Sequence, residues 1–167
     1  LLVLDGGDCH VGIESSIVDC TRGHPVLLRP GVLTPAQIEA VAGEPLLTPD
    51  AAAPRASGTL AAHYAPNARV RLFDSADLSQ ALAEGWAPTL AVYSRSAPLP
   101  GGSAAGGLMR RMPADALAAA QELFAVLREL DAAGASEIWI ENPPPDSAWD
   151  GVRDRIGRAA ATFDART

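Results

Sequence analysis

Short apolar runs alternate with helical stripes along residues 68–167. Runs at 69–73, 89–93 and 137–141 predict strands. In the last of these Ile138, Trp139 and Ile140 are consecutive, the pattern of a strand covered on both faces. Between the runs, Asp74-Ser75 caps a predicted helix over 76–84. Leu117, Leu123, Phe124, Leu127 and Leu130 then recur at helical spacing up to Gly134. Val152, Ile156, Ala160 and Phe163 mark a final helix. Strands alternating with helices predict a small parallel α/β sheet.

Residues 1–43 carry a different pattern. Runs at 1–4, 11–18 and 26–28 read as short strands, the second rich in β-branched residues and the third closed by Pro30-Gly31. Thr34-Pro35-Ala36-Gln37 reads as a helix start with threonine at the N-cap, proline at N1 and glutamine at N3, and Gly43 ends that helix. Three strands and one helix are too little to close a core, so this part is expected to be the tail of a domain. The chain opens on a strand-like run without a methionine, and is expected to be the C-terminal portion of a longer protein. Residues 44–67, with Pro45, Pro49, Pro54 and Pro66 and few large apolar groups, are expected to be a Pro-rich linker.

Composition narrows the chemistry. Apolar residues make up 48% of the 167, enough for a packed core. All thirteen cationic side chains are arginine, which excludes a Walker A lysine and Schiff-base chemistry by this chain. Residues 1–67 carry seven acids against three arginines, and 68–167 thirteen against ten. An even net charge of −7 predicts weak or no direct nucleic-acid binding. No apolar run approaches the length of a membrane span, and no membrane partner is expected. Two cysteines fit a reducing compartment.

The sharpest candidate segment is Gly12-Ile13-Glu14-Ser15-Ser16-Ile17-Val18-Asp19, followed by Leu27-Leu28-Arg29-Pro30-Gly31. Strand hydroxyls can bind a carboxylate, hydroxyl or phosphate, and an arginine at a strand end can aim a planar cation into the same cleft. Spacing alone also fits an exposed serine pair and a surface ion pair. Together with Gly6-Gly7, Thr34-Pro35, and Pro54-Arg55-Ala56-Ser57-Gly58-Thr59-Leu60 ending in His63-Tyr64-Ala65-Pro66, these motifs resemble the threonylcarbamoyl-AMP synthases, in their long, two-domain form.

That resemblance implies a C-terminal piece of a YrdC-like α/β catalytic domain (1–43), an interdomain linker (44–67) and a Rossmann-like C-terminal domain (68–167). It is close over 1–67 and looser beyond. It implies that L-threonine, bicarbonate and ATP, the nucleotide with magnesium, give threonylcarbamoyl-AMP and pyrophosphate. The product would pass to downstream tRNA-modifying transferase proteins, in the cytoplasm. By position, Ser15 would contact threonine, Arg29 the ATP phosphates, and Tyr64 would reach over the nucleotide from the linker. Ser16 and His63 would support them, and no residue here is assigned as a chemical catalyst. Ser16 stands where the family commonly has threonine, and Ala56-Ser57 where many members have Ser-Pro. Because further substrate-binding residues are expected upstream of Leu1, the chain by itself is expected to be inactive. The other reading is a non-catalytic α/β binding or regulatory module with a docking tether.

Other candidates are weaker. Cys9-His10 and Cys20-His24 lack the paired spacing of a zinc finger, and no metal site is expected. The glycine-rich 101–107 stretch lacks the lysine of a phosphate loop and reads as a surface loop. His63 fits either a general base near the nucleotide or a hydrogen-bonding anchor for the linker.

Overall fold

The computed structural model describes residues 2–7, 11–13, 15–57, 65–98 and 108–164. Its first sheet has two antiparallel strands, β1 (Ile17–Asp19) and β2 (Val26–Arg29). The turn between them is held by Asp19. Its buried carboxylate accepts from the Thr21 amide at 2.9 Å, the Thr21 hydroxyl at 2.7 Å and Arg22 Nε at 3.2 Å. The Thr21 hydrogen bonds, helped by Arg22, hold that carboxyl below its ordinary range. Arg22 Nη1 also reaches Asp50 at 2.8 Å. Leu47 exchanges backbone hydrogen bonds with Leu27 and Pro25 at 3.0 and 2.9 Å, so part of the proline-rich stretch runs along β2.

Helix α1 (Pro35–Ala42) begins as its sequence predicts. The Gln37 amide donates to the Thr34 hydroxyl, and the Thr34 amide donates to the Gln37 side chain. Two expectations for this region change. Leu2, Val3 and Leu4 are 86%, 77% and 88% exposed without regular structure, because no described strand lies beside them. Of 11–18 only the end pairs as β1, since residues 11–13 turn away toward the C-terminal helices.

The second sheet contains β3 (Arg69–Phe73), β4 (Leu90–Ser94), β5 (Leu108–Arg111) and β6 (Glu137–Glu141). All pairings are parallel, in the order β3-β6-β4-β5. Parallel strands need crossovers, and α2 (Ser75–Glu84), α3 (Ala116–Ala132) and α4 (Asp150–Asp164) lie in the connections or close the chain. Period-two alternation divides the side chains between two faces. Ala91, Tyr93, Ile138 and Ile140 pack with Leu123, Leu127, Leu130, Val152 and Ile156 of α3 and α4. Leu90, Val92 and Trp139 turn to the other face, against Leu78 and Leu82 of α2. Trp139 therefore serves one layer while its two isoleucine neighbours serve the other, as the consecutive apolar run predicts. Strand β5 has no sequence signal of that kind. It is an edge strand with Leu108, Arg110 and Arg111 exposed, so it lacks the continuous apolar run of its neighbours.

Candidate functional site

The antiparallel register opposes Ile17 to Arg29, with an irregularity between Ile17 and Val18. Ser15, two residues before Ile17, thereby comes within reach of the Arg29 side chain. Arg29 Nη2 donates to Ser15 Oγ at 2.6 Å, and Nη1 donates to the Ser57 carbonyl at 2.7 Å. Nε is buried and has no hydrogen-bond partner among the described residues. No acidic side chain among the described residues forms an ion pair with this half-buried guanidinium. A cation held by one hydroxyl and one peptide carbonyl, with a donor left over, is arranged to receive an anion.

The sequence-predicted residues thus divide. Ser15 and Arg29 are brought together. Ser16 is their neighbour, but its hydroxyl donates to the Leu33 carbonyl at 3.3 Å and braces the following loop. His63 and Tyr64 lie outside the described residues, as do Cys9, His10 and the 101–107 stretch. Cys20 is exposed, and His24 Nδ1 sits 3.1 Å from Glu44. Among the described residues no three His, Cys, Asp or Glu side chains converge to hold a metal ion. A hydroxyl and a guanidinium fit an anionic ligand, and a cation such as magnesium would enter only with that ligand's own oxygens.

Sequence reasoning missed the backbone that supports the pair. A Cβ on Gly31 would lie 2.4 Å from the Ser16 nitrogen and 2.5 Å from the Ser15 carbonyl carbon, so Gly31 lies flush on the Ser15–Ser16 peptide. A Cβ on Gly12 would lie 2.1 Å from the Ala120 carbonyl oxygen of α3. The intervening Ile13 is 3% exposed and belongs to the core built by α3, α4 and the parallel sheet. The glycine pattern was the available signal: Gly12 and Gly31 flank the serine pair and the arginine in sequence. The contribution of Ser57 leaves no trace there, because a carbonyl acceptor is common to every residue. A cavity of about 310 Å³ lies behind this support, between Gly31, Val32 and Thr34 on one side and Leu117 and Val152 on the other.

A second polar cluster sits at the carboxyl ends of β4 and β6. Glu141 is 1% exposed, and its oxygens accept from Ser94 Oγ at 2.5 Å, Arg95 N at 2.9 Å, Arg95 Nη2 at 3.0 Å, and Ser96 N and Oγ at 2.8 Å each. Burial pushes this carboxyl up, but the bonds from Ser94 and Ser96 and the Arg95 charge outweigh it and hold the group below its ordinary range. One contact comes from Ser94, the last residue of β4, and four from Arg95 and Ser96 in the turn that follows, so the cluster shapes that turn.

Comparison with known proteins places the chain in a family. The model of the threonylcarbamoyl-AMP synthase C-terminal domain matches residues 33–161. Among curated relatives, the threonylcarbamoyl-AMP synthase of Pyrococcus abyssi is 43% identical over 75 residues, covering 41% of this chain and 22% of its own. That of Schizosaccharomyces pombe is 28% identical over 187 residues, covering 96% of this chain and 45% of its own. The crystal structure of P. abyssi Sua5 complexed with L-threonine superposes with a TM-score of 0.74 at 27% identity, covering 94% of this chain and 48% of that one. A P. abyssi Sua5 in which a consecutive histidine–tyrosine pair is replaced by alanines gives a TM-score of 0.71 at 26% identity, with 94% and 47% covered. The chain thus spans less than half the length of these relatives. With the family model matched over most of its residues, this chain belongs to the threonylcarbamoyl-AMP synthase C-terminal domain family.

Proposed function

We propose that this chain is part of an L-threonylcarbamoyladenylate synthase, and that Ser15, Arg29 and Tyr64 are its contribution to the substrate site. In that reaction L-threonine and bicarbonate form a carbamate with loss of water. A carbamate oxygen then bonds to the α-phosphorus of ATP, the bond from that phosphorus to the bridging oxygen breaks, and pyrophosphate leaves. No protein nucleophile is required. Fixed cations and donors around the charge that builds up in the transition state are required instead.

The half-buried Arg29 guanidinium, with Nε unpartnered and no carboxylate beside it among the described residues, carries this reading. Its present acceptors are neutral. An anionic phosphate oxygen is a stronger acceptor than the Ser57 carbonyl, so ATP would compete with the linker for Nη1. Ser15, held 2.6 Å from Nη2, would present its hydroxyl to threonine beside the phosphates. Magnesium would enter on the nucleotide. Family membership, and the relative crystallised with L-threonine, favour this reading over a non-catalytic module with a docking tether. This chain carries a consecutive His63-Tyr64 pair of the kind replaced in the second P. abyssi structure, and Tyr64 would cover the nucleotide from the linker. The product would be consumed by proteins that transfer the threonylcarbamoyl group to tRNA.

Calorimetric titration of the full-length protein tests the role of Arg29. Arg29→Ala should weaken ATP by roughly ten- to a hundredfold, the value of one charge-assisted hydrogen bond to phosphate, and affect threonine far less. Unchanged ATP affinity would remove Arg29 from the site.

A further inference from the structure

The strand end that carries Arg29 is gripped from the far side of the molecule. Arg155 of α4, with only 9% of its side chain exposed, donates from Nη1 to the Pro30 carbonyl at 3.1 Å. Its charge is balanced by Asp154 at 2.5 Å, which Arg158 also holds through Nε at 2.9 Å and Nη2 at 2.7 Å. Pro30 stands directly between Arg29 and Gly31. One helical turn before Arg155, Gly151 presses on the next peptide, Gly31–Val32: a Cβ there would lie 3.1 Å from the Gly31 carbonyl oxygen and 3.2 Å from Ile13 Cγ2. The other face of Gly31 rests on the Ser15–Ser16 peptide. From α4 inward, the order is helix, Gly31 with its two flanking peptides, Ser15–Ser16 peptide, and both glycine contacts are too close to admit a methyl group without movement.

From this stack we infer that Arg155 is a positioning residue, which sets the separation of Ser15 from Arg29 by fixing the Pro30 carbonyl from α4. The inference rests on the reading of Ser15 and Arg29 as ligand-binding residues. Its physical basis is the shortness of the lever. The Pro30 carbonyl is one residue from Arg29, and Arg29 must keep Nη2 within hydrogen-bond distance of Ser15 Oγ while Nε stays open. Releasing the carbonyl lets the Pro30–Gly31 peptide rotate, and the guanidinium then loses the alignment that two fixed donors require. Gly31 and Gly151 set the spacing along the stack, whereas Arg155 supplies a directional bond across it.

The test compares wild type, Arg155→Ala and Arg155→Lys in the full-length protein, by titration with L-threonine and ATP and by amide hydrogen exchange. Arg155→Ala should weaken threonine binding by roughly three- to tenfold, the value of one lost hydrogen bond. Arg155→Lys keeps a charged donor near Pro30 and should recover most of that loss. Exchange should quicken at residues 15–17 and 29–33 of the alanine variant, while β3 and β6 keep their protection. Wild-type affinity in Arg155→Ala, or exchange that quickens equally across α4 and the parallel sheet, would overturn the inference and leave Arg155 as packing alone. Should the wild-type protein bind neither ligand, the functional reading fails, and the exchange pattern still decides whether Arg155 holds the Pro30 peptide.

Discussion

Arg29 shows what a single side chain discloses before and after folding. Its identity, its place at the end of an apolar strand and the Ser15-Ser16 pair fourteen residues earlier are all visible in sequence. What folding adds is that Ser15 of that pair meets the guanidinium, because the antiparallel register opposes Ile17 to Arg29, while Ser16 turns to the Leu33 carbonyl. Arg155 was invisible by contrast: it is 126 residues from Arg29, on a helix whose sequence signal is apolar spacing, and its bond is to a carbonyl. Tyr64 lies outside the described residues, and its proposed role rests on its motif. The proposed role is that of a lid, carried by the ring more than by the hydroxyl. Tyr64→Ala should then lose a larger share of the adenylate to hydrolysis than Tyr64→Phe, read as intermediate formed per ATP consumed. Equal and severe losses in both variants would assign the role to the hydroxyl.

Among the elements, those with capping or alternation signals were legible, and those defined by partners were not. The α1 capping box, β3, β6 and the three later helices are local in origin: each carries its own cap, period or run. The 1–4 run failed because a strand is a pairing, and none of the described strands pairs with residues 2–4. Strand β5 was missed for the converse reason, since an exposed edge strand needs only one neighbour and no apolar face. The turn after β4 shows how a buried acid can fix an element, and its pH dependence follows in sign. Glu141 is held below its ordinary range, so the stability it contributes is fully present above the unfolded value near 4.5 and is lost as pH falls through the folded value. Glu141→Gln turns an amide donor toward donors, and should cost roughly 1–3 kcal/mol at neutral pH. The gap between variant and wild type should close in acid. Urea midpoints from pH 7 to pH 3 measure this, and a constant gap across that range would contradict the assigned charge state.

At the scale of the whole molecule, the two sheets are joined through the site. Ile13 is part of the core beneath α3 and α4, Gly12 lies against Ala120, and Arg155 holds Pro30. Burying Ile13 contributes about 1.5–3 kcal/mol, so the segment leading to Ser15 is tied to the parallel-sheet unit by an ordinary core residue. Sequence patterning shows each sheet but not this joint, because glycines at close approaches and one isoleucine within a β-branched run resemble many others. In the proposed function this joint supports a site for forming threonylcarbamoyl-AMP. Pyrophosphate release from ATP by the full-length protein, with L-threonine and bicarbonate supplied together and singly, tests it most directly. Release is expected only when both are present, and is expected to be lost on Arg29→Ala at ATP concentrations that saturate the wild type. Release that ignores threonine, or that survives Arg29→Ala unchanged, would contradict it.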